Sequence, residues 1–273
     1  MSGTSTDGID VAGLHIDAQN GSLRFLGHRS ESFDEDLRRS LLNLQQIPPR
    51  FSPDQDPLAL MLESRRRLSL AYASAVRGLL GDLGLEAQDV HVLGAHGQTL
   101  RHRPDLGYTY QMLDAALLAV ETGIDVVADM RSKDVALGGQ GAPLVPAFHQ
   151  AWLLSKGIGD RCAVLNLGGF SNLTVLQGQQ GAVLGGDCGP ANCLMDWWSQ
   201  SRFGLDYDDG GNIAASGRLN EPLLIELLQH PFVQRAWPKS TGRDDFNGAW
   251  VMDCIARCPS QPSDEDVMTT LMA

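Results

Sequence analysis

The chain has 273 residues, 43% of them hydrophobic and 20% charged, with a formal net charge of −12. At roughly 150 residues per domain this length predicts two domains, and the acidic balance excludes a nucleic-acid partner gripped through its phosphates, which requires clustered Lys and Arg. Five cysteines match no zinc-ligand spacing, no stretch approaches the ~20 apolar residues of a membrane span, and no basic region precedes an apolar core at the N-terminus; together these predict a cytoplasmic protein with reduced thiols and no membrane partner.

The chain opens on a turn of small and hydroxyl residues, SGTSTDG at 2–8. Residues 9–16 then alternate like a strand, Asn20-Gly21 is a hairpin signal, and 23–28 make the return strand. Leu37, Leu41 and Leu44 mark a helix over 34–44, and the four prolines of 48–57 mark a loop. A long amphipathic helix is expected over 58–83, interrupted or ended near Gly78 and Gly81, with Arg65, Arg66 and Arg67 on a solvated face.

A strand at 90–93 opens into Gly94-Ala95-His96-Gly97-Gln98-Thr99, followed by Arg101, His102 and Arg103. Polar residues at the carboxyl end of a strand are where open α/β sheets hold ligands. His91, His96 and His102 are spaced unlike a helical ligand pair, so hydrogen-bonding roles are expected for them. A helix at 113–121 leads to a strand at 124–128 that ends in Asp129-Met130-Arg131, and the glycine-rich run from Gly138 to Pro143 marks a boundary between domains 1–137 and 138–273.

The second half is organised around residues 162–196. A strand at 163–167, a small-residue turn at 168–172, a strand at 173–176, a polar loop at 177–181 and a strand at 182–184 run into Gly185, Gly186 and Asp187, ahead of a helix at 192–203. Backbone approaches an anion closely only where no Cβ intervenes, and the N–H groups of such turns and of helix N-termini attract phosphate. Asp187, expected where strand gives way to helix, is therefore a candidate base. The turn at 207–211 lacks the closing Glu of a calcium loop. Helices are expected at 223–228 and 246–255, and between them the loop 238–243 resembles a phosphate binder in composition without being a P-loop.

The order of turn, strand, hairpin and strand thus occurs twice. It resembles the plan of the actin, hexokinase and heat-shock chaperone ATPases, in which two such loops face a nucleotide across a cleft. More specifically, MSGTSTDGID, AHGQTLRHRP, TGIDVVADMRSKDVALGGQGAPLVPAFH, VLNLGGFSNLT, GGDCGPANCLMDWW, YDDGGNIAASG and PKSTGRDDFN resemble, in order and over the whole chain, the anhydro-N-acetylmuramic acid kinase family of bacterial cell-wall recycling.

That resemblance implies a duplicated, ribonuclease H-like α/β fold with two domains and a central cleft. It implies ATP and Mg²⁺ as cofactors, an amino sugar as substrate and a homodimer as a compatible assembly. The implied reaction opens the 1,6-anhydro ring with water and phosphorylates O6, with Asp187 as the general base. Gly3, Thr4, Ser5, Thr6, Asp7, Gly8, Ile9, Asp10, Gly168 and Gly169 are implied to bind ATP, and Gln98, Thr99, Asp129, Arg131 and Lys133 to bind the sugar. A helix cap or an ion pair with Arg131 is the alternative for Asp129.

Three departures from the family pattern carry expectations of their own. Ala191 stands where a Gly is usual and would be strained if φ there were positive; Gly186 stands where an aromatic residue is common, at a cost in packing on the sugar side. The chain also starts at the phosphate loop and stops at residues that resemble the start of a long helix. The second domain is accordingly expected to be incomplete, with an uncovered sheet edge and helix stub, and a catalytically inactive remnant that only binds sugar or phosphate is the alternative reading.

Overall fold

The structure, a computed structural model, describes residues 1–3, 6, 8–17, 19, 21–46, 56–158, 161–177 and 183–273. The expectations for Thr4, Ser5, Asp7, Asn20, the proline-rich loop up to residue 55 and the loop 178–182 lie outside these residues. Contacts divide the chain into two compact α/β units, Met1–Leu144 with Gln150–Ile158, and Val145–His149 with Gly159–Ala273.

In the first unit β1 (Gly8–Ile16) and β2 (Leu23–Ser32) form an antiparallel hairpin in which Gly8 faces Ser32 and Ile16 faces Leu23. The helix α1 (Glu35–Gln45) begins because the Asp34 carboxylate accepts the Leu37 N–H at 2.8 Å. Its buried face is Leu37, Leu41 and Leu44, one turn apart. The long helix α2 (Pro57–Leu83) is capped by Asp56, has Pro at its first position, and ends at Gly84, whose φ is 65°.

Contrary to expectation, α2 runs straight through Gly78 and Gly81. Gly78 serves packing: a Cβ there would overlap the Arg29 guanidinium, which bonds Glu31 and Asp82, each at 2.8 Å. Of the three adjacent arginines, Arg65 pairs with Asp114 and Arg67 with Asp34, both at 2.6 Å, while Arg66 is exposed.

The remaining strands of this unit are short. β3 (Leu93–Gly94) pairs in parallel with β6 (Val126–Val127), and β4 (Gln98–Arg103) pairs antiparallel with β5 (Tyr108–Met112). Strands were expected over 90–93 and 124–128; pairing takes only Leu93 of the first, continuing to Gly94, and only Val126 and Val127 of the second, and His102 lies in β4 and not in a loop. Helices α3 (Ala115–Thr122), α4 (Ser132–Ala136) and α5 (Pro146–Ser155) complete the series. Ile9, Leu37, Leu41, Leu68, Tyr72, Met112 and Leu118 form one core around α2. Each such aliphatic side chain contributes about 1.5–3 kcal/mol on burial.

The second unit holds a three-stranded antiparallel sheet ordered β7 (Arg161–Leu167), β8 (Phe170–Gln177), β9 (Val183–Pro190). Helices α6 (Asn192–Phe203), α7 (Asn212–Ser216), α8 (Glu221–Leu228), α9 (Pro231–Gln234), α10 (Gly248–Arg257) and α11 (Asp264–Met272) follow. Leu194, Trp198, Leu223, Phe232, Phe246, Val251 and Met268 are its core.

Two expectations fail here. Ala191 has φ −128°, so the left-handed strain does not arise. The final helix is not an uncovered stub: Val267, Met268 and Thr270 are buried, the Thr269 hydroxyl bonds the Ala214 carbonyl at 2.6 Å, and the Trp198 indole N–H bonds the Asp264 carbonyl at 2.9 Å.

Candidate active site

In the second unit the candidate carboxylate is buried, with Asp187 at 8% exposure. It lies within β9, not where strand gives way to helix, because pairing with β8 continues to Phe170 and Pro190. The register irregularity between Ser171 and Asn172 sets Asn172 directly opposite Asp187, so the two side chains share a face of the sheet. The amide oxygen of Asn172 is buried and has no hydrogen-bond partner in the structure. An orphaned acceptor beside a buried carboxylate is a position where a ligand hydroxyl or water satisfies the site.

The loop 238–243 clamps Asp187. The Asp187 N–H donates to the Lys239 carbonyl and the Thr241 N–H donates to Asp187 Oδ2, both at 2.9 Å. Thr241 is fixed in turn by its hydroxyl, 2.8 Å from Asp245. Lys239 itself points elsewhere: its buried ammonium donates to the Phe232 and Val233 carbonyls at 2.9 and 3.2 Å and lies 4.4 Å over the Phe232 ring. The loop thus holds the carboxylate through its main chain, while the Lys239 and Thr241 side chains bond within their own surroundings.

Gly186, one residue before Asp187, makes room for an indole. A Cβ at 186 would stand 3.0 and 3.1 Å from ring atoms of Trp237, which is 41% exposed. The aromatic surface expected to be missing at 186 is supplied from the neighbouring loop.

The turn at Gly168 and Gly169 joins β7 to β8. Its carbonyls accept the N–H groups of Ala191, Asn192 and Cys193 at 3.0, 2.9 and 3.1 Å. The first amides of α6, expected to attract phosphate, are thus occupied by the turn.

In the first unit the residues of the N-terminal turn that are described are Gly3, Thr6, Gly8, Ile9 and Asp10. Thr6 is buried with φ 60°, an unusual conformation for a β-branched residue, of order 1–3 kcal/mol in strain. Its hydroxyl donates to Gln45 Oε1 at 3.1 Å. Gln98, fully buried, donates from Nε2 to the Gly3 carbonyl at 3.0 Å, and Ser2 shares a 2.9 Å hydrogen bond with the Tyr72 hydroxyl. Burial pushes the Tyr72 phenol up to about 12. Gly8 admits no side chain, since a Cβ would meet the Glu31 carbonyl. Asp10 is exposed and bonded by the Ser30 hydroxyl at 2.5 Å. Gly3, Gly8, Ile9 and Asp10 line a cavity of about 210 Å³ with Ser30, Glu31 and Ser32.

The residues expected to contact a sugar divide. Gln98 faces the N-terminal turn, and the Thr99 carbonyl accepts from Gln45 Nε2 at 3.0 Å. Asp129, exposed with φ 54°, accepts the Ser132 N–H at 3.3 Å; the N-cap position of α4 is Arg131. Lys133 is exposed. Arg131 donates from Nε to His96 Nε2 at 2.9 Å and from Nη1 to the Gly141 carbonyl at 2.5 Å. Burial, then the Arg131 charge, pushes His96 down to about 4.

Sequence reasoning singled out Arg101, His102 and Arg103 as a polar cluster, and the structure gives each a partner within the first unit. Arg101 donates to the Leu44 and Gln46 carbonyls, both at 2.9 Å, His102 meets Thr109 at 2.9 Å, and Arg103 pairs with Asp105 at 2.7 Å. Asn172 and Thr241, by contrast, were missed beside Asp187; only strand register and loop docking reveal them.

A buried, clamped carboxylate beside a glycine turn, within a mixed α/β chain, defines a protein equipped to orient a carboxylate for chemistry on a polar ligand. The particular family follows from comparison. Residues 1–273 match the family model for anhydro-N-acetylmuramic acid kinase, and the chain belongs to this family. The anhydro-N-acetylmuramic acid kinase of Cupriavidus pinatubonensis is 47% identical over 278 residues, which cover 100% of this chain and 72% of that protein. The enzymes of the same name from Burkholderia lata and Shewanella sp. (strain ANA-3) are 44% and 40% identical, covering 100% of this chain and 69% and 71% of theirs.

Proposed function

We propose that the chain is an ATP-dependent kinase that hydrolytically opens 1,6-anhydro-N-acetylmuramic acid and delivers the γ-phosphoryl group to O6, in cell-wall recycling. The observation that carries this is Asp187, buried and clamped by Thr241 and Lys239 in a chain that matches the family end to end. Glycosidic cleavage ordinarily needs a carboxylate to activate water and an acid to protonate the leaving oxygen. Here water attacks C1 and gives its proton to Asp187, the C1–O6 bond breaks, and O6 takes the phosphoryl group, leaving ADP and N-acetylmuramic acid 6-phosphate. Phosphoryl capture replaces the acid, so one base suffices.

The Thr241 N–H fixes the orientation of the carboxylate, and Asn172 offers its unpartnered oxygen to the water or to a sugar hydroxyl. The turn at residues 3–10, with Gly168 and Gly169, is read as the ATP cradle, and Gln98, Thr99, Asp129, Arg131 and Lys133 as the sugar side. A Mg²⁺ that travels on the nucleotide phosphates would take only one or two protein carboxylates. When bound, the ion neutralises phosphate charge.

The two halves, 1–137 and 138–273, are read as the lobes of a duplicated actin/hexokinase-like fold. Cytoplasmic location and a homodimer belong to the same reading, supported by the family resemblance; no helix of the described residues is long and apolar enough to cross a membrane. The test is ADP release by the purified chain with Mg-ATP, with and without 1,6-anhydro-N-acetylmuramic acid. Sugar-dependent release upholds the reading; a folded protein that releases none overturns it for this chain.

A further inference from the structure

The motif Ala95-His96-Gly97 is not used by the chemistry above, yet it sits at the centre of a continuous hydrogen-bond chain. His96 Nδ1 meets the Gly97 carbonyl at 2.8 Å, and the Ser2 hydroxyl donates to that same carbonyl at 3.3 Å. On the other side of the ring, Nε2 accepts the Arg131 Nε–H at 2.9 Å. The Arg131 contact fixes the tautomer: a ring that accepts at Nε2 carries its proton at Nδ1 and gives it to Gly97. Burial and the adjacent guanidinium keep the ring neutral, pushing it down to about 4.

The far side of Arg131 is equally fixed. Its Nη1 donates to the Gly141 carbonyl at 2.5 Å, while the Gly141 N–H donates to Asp134 Oδ2 at 2.7 Å. Gly141 has φ 65°, and a Cβ there would crowd Val135. A planar guanidinium held at both Nε and Nη1 has its plane set, and a set plane is what bidentate recognition of an oxyanion requires.

We propose that His96 is a positioning residue that fixes the Arg131 guanidinium plane for an oxyanion of the bound ligands, either the sugar carboxylate or a nucleotide phosphate. This rests on the reading of Arg131 as a ligand contact. Through Gly97 and Ser2, the same ring ties that plane to the N-terminal turn.

The two ring nitrogens can be tested separately. A Gln side chain reproduces the acceptor at the Nε2 position, and an Asn side chain reproduces the donor at Nδ1. His96→Gln therefore keeps the Arg131 contact, whereas His96→Asn keeps only the Gly97 contact. In the ligand-free chain, the Arg131 Nε–H resonance, identified by its loss in Arg131→Lys, exchanges slowly with water in the wild type and His96→Gln, and rapidly in His96→Asn and His96→Ala.

Calorimetric titration with 1,6-anhydro-N-acetylmuramic acid in one arm and Mg-ATP in the other then shows about tenfold weaker binding for His96→Asn and His96→Ala, but not His96→Gln, in the arm whose oxyanion meets Arg131. Equal affinity of all variants in both arms overturns the proposal. So does wild-type binding by His96→Asn with weak binding by His96→Gln, which would reduce His96 to a support for Gly97. If the wild type binds neither ligand, the functional reading of the chain fails by itself, and the exchange rates alone decide whether His96 holds Arg131.

Discussion

The two glycine turns of this chain are secured in opposite ways. The N-terminal turn is stitched by side chains from distant elements: Tyr72 of α2 on Ser2, Gln45 of α1 on Thr6, and Gln98 of β4 on Gly3. The turn at Gly168 and Gly169 is secured by backbone alone, its carbonyls bonded to the first amides of α6. The first turn holds a strained Thr6 and needs particular side chains to keep it, while the second is held by main-chain bonds to residues 191–193 and has room for a Cβ at Gly168. One loop thus depends on distant side chains and the other on main-chain contacts.

Substitutions can break this contrast. The largest effect is expected at the chemistry that the backbone-held turn adjoins: Asp187→Asn lowers kcat by about 10³-fold with ATP affinity retained, as measured by ADP release and nucleotide titration. Turnover near that of the wild type would remove Asp187 from the base role.

Next comes pH, which acts on the side-chain-held region through His96. Its pKa is depressed to about 4 from 6.5, so between those values the unfolded chain binds the proton and the folded one does not. Stability is therefore complete above about pH 6.5 and falls as pH drops towards 4, by on the order of 3 kcal/mol. His102, also lowered by burial and then by Arg131, adds in the same direction. Urea denaturation at a series of pH values checks this, and in His96→Gln most of the slope disappears.

Gln98→Ala removes one of two donors from the Gly3 carbonyl, the other being the Thr6 N–H at 3.2 Å, and opens a void at a fully buried position, costing about 2 kcal/mol in urea and weakening nucleotide binding. Tyr72→Phe removes a single buried hydrogen bond, worth about 1 kcal/mol. Gly168→Ala is the smallest change: an added Cβ meets only ordinary contacts at 3.8 and 3.9 Å, so stability should move by less than about 0.5 kcal/mol. A large loss there would show that the turn depends on more than its main-chain bonds.

What the sequence conveyed was local. The spacing of Leu37, Leu41 and Leu44 gave α1 to within one residue at each end, and the span of α6 was read at both ends. Propensity misjudged α2, where Gly78 and Gly81 looked like breaks; the cost of a helical glycine is small beside the core that the helix buries and the room that Gly78 gives Arg29. The candidate base was legible because a glycine run led into it, but its surroundings were not. Asn172 depends on a register shift and Thr241 stands 54 residues away from Asp187, and neither relation leaves a local trace. The charged run 101–103 misled for the complementary reason: charges that look available in a sequence are consumed by partners that only the fold brings near.

Arg101 has a consequence for how α1 ends. Its guanidinium bonds the Leu44 and Gln46 carbonyls, at the end of α1, across a separation of 57 and 55 residues. Terminal carbonyls of a helix have no partners of their own, and closing a loop of that length costs chain entropy before any contact repays it. The last turn of α1 is thus completed by a long-range contact from the β4–β5 hairpin, although the helix itself is coded by eleven consecutive residues.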